Sequence, residues 1–168
     1  TGSGQTGVDN YAQVTLNLPD EVANSTSVTL EFTLTATGSF NAYSRFGVMM
    51  AEEKGMSASV MGNVTPPLQI FAIDPDDPLG IFNGWDGNHG DYYAVVAQAL
   101  QGDGLRVRMV RAGATITMYM YLGEEWVEMG SATCTATAST DIRFCVGGNG
   151  SNAWTFSDIT YSVTGAQN

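Results

Sequence analysis

Residues 105–122 are LRVRMVRAGATITMYMYL. Two runs of alternating character flank Gly113-Ala114. Glycine at the first position of a two-residue loop supplies the positive φ that a type II′ hairpin turn requires. Counting outward from that loop sets the register. Ala112 faces Thr115, Val110 faces Thr117, Met109 faces Met118, Arg108 faces Tyr119, Val107 faces Met120, Arg106 faces Tyr121 and Leu105 faces Leu122. Successive strand side chains point to opposite faces. One face is therefore Leu105, Val107, Met109, Met118, Met120 and Leu122, which is core. The other carries two Arg–Tyr pairs with Val110 and Thr117. Flat rings beside guanidinium forks form a platform for a polar, ring-shaped ligand. The same residue types also serve an ordinary solvent-facing strand held by cation–π contact.

The period of two continues through most of the chain, broken by Gly, Asn, Asp and Pro clusters, which predicts an all-β protein. Val14, Leu16 and Leu18 mark a first strand ended by Pro19-Asp20. Val28, Leu30, Phe32 and Leu34 are the inward side of a second. In a third, Ser44 to Ala51, Phe46, Val48 and Met50 lie opposite Arg45 and Met49. Residues 53–67 are rich in Gly, Ser, Asn and Pro and read as a loop; a strand follows from Leu68 to Ile73. Tyr92 to Leu100 reads as a strand, with Tyr93, Val95 and Ala97 opposite Tyr92, Ala94 and Val96. Trp126 to Met129 and Ile142 to Val146 add two more. In the last strand Trp154 and Phe156 share a face, as do Ile159, Tyr161 and Val163. The step of three from Phe156 to Ile159 predicts a bulge near Ser157-Asp158. About ten or eleven strands with turns at this spacing predict an antiparallel two-sheet sandwich.

At 168 residues the chain is long enough for one domain with a two-layer core. Residues 8–168 are taken as that domain, and 1–7, TGSGQTG, as a linker or cloning remnant. Six Lys and Arg stand against 17 Asp and Glu, a net charge of −11. This disfavours nucleic acids and anionic membranes as partners, since neither counterion release nor polybasic attraction is available. A surface rich in Thr, Ser, Gly and Asn and nearly free of lysine fits a secreted or cell-surface protein. Cys134 and Cys145 could pair across neighbouring strands or remain free thiols; spacing does not decide between them.

Residues 81–91, IFNGWDGNHGD, hold the most unusual local composition. Trp85 sits between Gly84 and Asp86, where a large ring need not be buried. Sugar recognition needs an exposed ring for the apolar face of a pyranose and hydrogen-bonding side chains for its hydroxyls. A tryptophan plugging the end of the sandwich is the competing reading. Asp86, Asn88 and Asp91 are oxygen donors suited to calcium, although turns favour Asp, Asn and Gly for backbone reasons alone. No cofactor is expected to be required; a structural calcium is the one ion for which the sequence offers ligands. His89, the only histidine, reads as a turn residue and cannot by itself complete a nucleophilic triad. The candidate ligand contacts are Trp85, Asp86, Asn88, His89, Tyr92, Arg106, Arg108, Tyr119 and Tyr121, with Tyr43 as an outlying member.

Phe46-Gly47-Val48-Met49, the hairpin, Trp126 just past it, Arg143-Phe144-Cys145-Val146-Gly147-Gly148 and Ala153-Trp154-Thr155-Phe156-Ser157-Asp158-Ile159 follow in an order that resembles the concanavalin A-like lectin/glucanase superfamily. The resemblance implies a jelly-roll sandwich with one convex and one concave sheet. That superfamily hosts carbohydrate-binding modules, lectins, laminin G-like domains and glycoside hydrolases. Its hydrolases resemble one another in two glutamates flanking an aspartate on one strand, as E-x-D-x-x-E or E-x-D-x-E. No such pattern occurs here. Glu52-Glu53 and Glu124-Glu125 are adjacent pairs that would point to opposite faces of a strand, and Glu31 stands alone on its strand. The expectation is thus a non-catalytic polysaccharide-binding module of a bacterial secreted protein, tethered to a larger multidomain chain. A protein-binding adhesion domain and a glycoside hydrolase are the alternatives.

Overall fold

The computed structural model describes residues 10–17, 25–40, 44–51, 54–74, 87–134, 141–148 and 152–166. Eleven strands lie among them: β1 (Asn10–Asn17), β2 (Ser25–Thr37), β3 (Arg45–Met49), β4 (Gly55–Val60), β5 (Leu68–Ile73), β6 (Gly87–Asn88), β7 (Leu105–Ala112), β8 (Thr115–Leu122), β9 (Glu125–Thr133), β10 (Asp141–Gly148) and β11 (Ala153–Ala166). They form two antiparallel sheets. One has the order β1-β10-β3-β4-β5-β6 and the other β11-β2-β7-β8-β9. The core lies between them. From the five-stranded sheet come Val28, Leu30, Phe32, Leu34, Leu105, Val107, Met109, Ile116, Met118 and Met120; from the six-stranded sheet, Phe46, Val48, Met56, Ala58, Val60, Leu68, Ile70, Phe144 and Val146. The fold is the all-β sandwich that the period of two predicts.

The β7–β8 hairpin has the register counted from its turn, from Ala112 opposite Thr115 through Arg108 opposite Tyr119 to Val107 opposite Met120. Gly113 adopts φ +57. In β11 the predicted bulge is present. Ser157 pairs with Thr33 and Thr160 with Glu31, so one extra residue is absorbed, with Asp158 at φ 51. The bulge returns Tyr161 opposite Leu30 and Val163 opposite Val28; Phe156 and Val163 pack against the core, whereas Ile159 and Tyr161 remain exposed.

Two local expectations are corrected. Tyr92 to Leu100 is not a strand. Gly90–Tyr92 is a 3-10 turn and Tyr93–Gln101 is helix α1, the connection between β6 and β7. Tyr93, Val96, Ala97 and Leu100 also follow the i, i+3, i+4, i+7 spacing of a helix face, and Val96 and Leu100 are the residues this helix buries. The stretch satisfies both periods, and docking against β2 and β7 selects the helical one. Residues 53–67 are likewise not all loop, because β4 runs through them. Its Met56, Ala58 and Val60 enter the core, while Gly55, Ser57 and Ser59 alternate with them. These small residues allow close strand approach. A Cβ on Gly55 would fall on the carbonyl oxygen of Val48 and 2.7 Å from the Cα of Met49.

Cys134 and Cys145 are both buried free thiols. Cys134 belongs to the central core, whereas Cys145 sits with Met49, Phe71 and Ile73 in a separate cluster. Beyond β10, Asn152 joins three segments. Its amide donates to the carbonyls of Thr37 and Ser39, both at 3.0 Å, and its side-chain oxygen accepts from the Ser44 hydroxyl at 2.7 Å.

Candidate functional site

On the solvent side of the five-stranded sheet, β2, β7, β8 and β9 bring polar and aromatic side chains into two rows. The first row is Glu31, Arg108, Tyr119 and Glu128, in successive cross-strand pairs. The second includes Thr33 paired with Arg106 and Tyr121 paired with Trp126. Inward neighbours such as Val107, Met109, Met118 and Met120 are fully buried, which fixes this face outward.

The rows are tied together by ring and ion contacts. The Arg106 guanidinium lies 4.9 Å from the Tyr121 ring centroid and 5.1 Å from that of Trp126. The Arg108 guanidinium lies 4.1 Å from the Trp126 centroid. Tyr121 and Trp126 meet edge to face at 5.3 Å. Arg108 also forms an ion pair with Glu31, its Nε donating at 2.7 Å and its Nη2 at 2.6 Å to Glu31 Oε1. Both side chains are about 30% exposed, so the pair contributes no more than about 1 kcal/mol. Its larger effect is positional, since it neutralises Arg108 and holds it over Trp126. Arg106 is exposed, and Tyr119, Tyr121 and Trp126 are half-buried.

Arg106, Arg108, Tyr119 and Tyr121 therefore share one surface, as the hairpin register predicts. Trp126 is a member that the reading of the sequence left unplaced. The signal for it was present: a two-residue turn at Gly123-Glu124, with φ 60 and 70, places Leu122 opposite Glu125 and Tyr121 opposite Trp126.

The remaining predicted contacts lie elsewhere. Asn88 pairs with Gln69 at the β6 edge of the six-stranded sheet. His89 follows it as a half-buried turn residue. Its backbone N–H donates to the Leu68 carbonyl at 3.1 Å and its carbonyl accepts from Tyr92 at 2.8 Å. The His89 and Tyr92 rings are 6.4 Å apart. Asn88 and His89 thus belong to the other sheet, away from the outward Arg/Tyr rows, and the structure does not gather these two groups into one site. Trp85, Asp86 and Tyr43 lie outside the described residues. Asp91 is exposed in the 3-10 turn. Among the described residues no three His, Cys, Asp or Glu side chains gather to hold a metal ion.

Two further arginines are buried. Arg111 falls on the core face of β7 opposite Ile116 and is 2% exposed. Strict alternation from Met109 would have placed it there. Burial lowers its pKa below the ordinary arginine value, and Cys134 alongside opposes that shift. Arg45 pairs with Ser59, and Ser59 with Gln69, in a buried polar row across the six-stranded sheet.

No protein-family model and no curated protein matches this chain. Solved structures do. A legume lectin-like domain from Entamoeba histolytica superposes with a TM-score of 0.62 at 12% identity, over 96% of this chain and 82% of that one. This chain has the concanavalin A-like jelly-roll fold. The jelly roll also superposes on the exoplasmic/lumenal domain of VIP36 in its Ca2+/Man3GlcNAc-bound form, with a TM-score of 0.60 at 8% identity, over 95% of this chain and 78% of that one. A CBM2 module of the evolved Dit of Lactobacillus casei BL23 phage J-1 gives 0.55 at 9% identity, over 90% and 68%. At such identities the likeness carries the jelly roll and no residue roles.

Proposed function

We propose that this chain is a non-catalytic carbohydrate-binding module of a secreted or cell-surface bacterial protein. The observation that carries the reading is the outward cluster of Arg106, Arg108, Tyr119, Tyr121 and Trp126 on the five-stranded sheet. Rings supply apolar faces for sugar C–H groups, and guanidinium and phenol groups supply hydrogen bonds to hydroxyls. The jelly roll holds these side chains on paired strands over a packed core, so little side-chain freedom is lost on binding. The lectin-like domains and the binding module that share the fold support the same reading.

A binding role is also supported by the carboxylates on this face. Glycoside cleavage needs two about 5–10 Å apart across one bond. Glu31 is held by Arg108, and the backbone of Glu128 stands three strand spacings away in the same row, roughly 14 Å at about 4.8 Å per strand. Affinity per module of this kind is weak, and tethering to a larger chain provides avidity.

The test is an affinity-gel and calorimetric screen of soluble polysaccharides, with and without chelator, using wild type, Trp126→Ala and Tyr121→Ala. At least one polysaccharide should bind wild type at millimolar concentration or better and lose affinity in both variants. If nothing in the panel binds, the proposal fails; loss on chelation would assign calcium a part in binding. A second reading, a protein-binding domain, is favoured by apolar exposure on the two edge strands. Val14 of β1 is 51% exposed, and Ile159 and Tyr161 of the 14-residue β11 are 40% and 39% exposed.

A further inference from the structure

The two outward arginines differ in a way that bears on ligand charge. Of the six Lys and Arg, Arg45 and Arg111 are buried and Lys54, Arg108 and Arg143 are half-buried. Arg106 is the one exposed cation of this class in a chain of net charge −11. Arg108 is already neutralised by Glu31. Arg106 holds no carboxylate among the described residues, and its contacts there are the rings of Tyr121 and Trp126. Stacking on rings uses the charge of a guanidinium and leaves its five N–H donors for another partner. The rings also restrain the side chain, which lowers the entropy lost when a ligand is gripped.

We propose that the glycan taken by this face is acidic, with a hexuronate carboxylate seated on Arg106 and its pyranose ring beside Tyr121. This rests on the reading of the face as a glycan platform. A planar guanidinium fork matches a planar carboxylate through two parallel hydrogen bonds. The Glu31–Arg108 pair is neutral as a unit, so Glu128, beyond Tyr119, is the remaining carboxylate of that row and Arg106 carries a charge to set against it. Attraction is local, because at about 0.15 M salt the Debye length of about 8 Å screens the distant carboxylates.

The experiment is calorimetry at that salt concentration with oligomers of polygalacturonate, alginate and hyaluronan. Each is compared with its carboxyl-reduced form, which keeps the sugar ring and loses the charge. Dextran sulfate, which carries sulfate and no uronate, serves as a sulfated comparison, and Arg106→Gln is measured beside wild type after its fold is checked by circular dichroism. At least one uronate oligomer should bind at least tenfold more tightly than its reduced form, and Arg106→Gln should abolish that difference. Equal binding of acid and reduced forms, or an unchanged preference in Arg106→Gln, would overturn the carboxylate assignment while leaving a glycan-binding surface intact. Sulfated chains binding Arg106 as well as uronates do would overturn it too. Failure of every acidic, reduced and neutral polysaccharide to bind would instead remove the glycan reading on which it rests.

Discussion

Replacing Gly55 with alanine should cost more stability than any glycine substitution in a turn. Gly55 opens β4 opposite Met49 of β3, and both strands are interior to the six-stranded sheet. Its added Cβ would meet the Val48 carbonyl oxygen, the Val48 carbonyl carbon at 2.9 Å and the Met49 Cα at 2.7 Å. All three are backbone atoms, so no rotamer change relieves the clash; the strands must separate. Overpacking costs about 1–3 kcal/mol. Weakening one or two ladder hydrogen bonds adds about 1 kcal/mol each. The sum is about 2–5 kcal/mol. A loss of about 3 kcal/mol lowers Tm by about 6–12 °C in a chain of this size. Gly113→Ala is the control. Nothing lies within 4 Å of its Cβ position, so only its φ of +57 is penalised, by about 1–2 kcal/mol. Urea unfolding followed by tryptophan fluorescence measures both, with an unchanged slope showing that the denatured state is the same. A cost for Gly55→Ala below about 1 kcal/mol, or below that of Gly113→Ala, would refute the close approach of β3 and β4.

Asn152→Ala removes three hydrogen bonds joining Thr37, Ser39 and Ser44 and should cost about 2–3 kcal/mol, read by the same unfolding curves; a cost under about 0.5 kcal/mol would show the join to be dispensable. Both thiols should be unreactive toward an aromatic disulfide reagent in native buffer and titrate as two in guanidinium. Prompt reaction of either thiol would contradict its burial, and absence of both from the denatured titration would mean a disulfide. Asp158→Gly should leave stability equal or raise it by up to about 1 kcal/mol, because the residue occupies a left-handed conformation at the bulge; a marked loss would mean that the Asp158 side chain holds the bulge.

The hairpin and the β11 bulge were legible because the signals are local. Gly113 fixes the turn, and a step of three among apolar residues leaves one residue to absorb. Helix α1 was not, because residues 92–100 satisfy both periods and packing against β2 and β7 decides between them. Strand β4 was hidden by its composition: Gly55, Ser57 and Ser59 look like loop residues until their neighbours are known to be closely packed strands. The same contrast governs the site. Arg106, Arg108, Tyr119 and Tyr121 follow from one turn, whereas Trp126 needs a second turn counted from Gly123-Glu124. His89 and Asn88 were grouped with the hairpin by chemistry alone. Which sheet an edge strand joins depends on long-range pairing that no local pattern records.

The most direct test of the glycan platform is an amide and indole chemical-shift titration of isotope-labelled protein with whichever oligosaccharide of the screen binds. The largest changes should fall on Arg106, Tyr121 and the Trp126 indole, with neighbours on β7, β8 and β9 following. Changes centred on Gln69, Asn88 and His89, with β7 to β9 unmoved, would place the site on the other sheet and contradict the account.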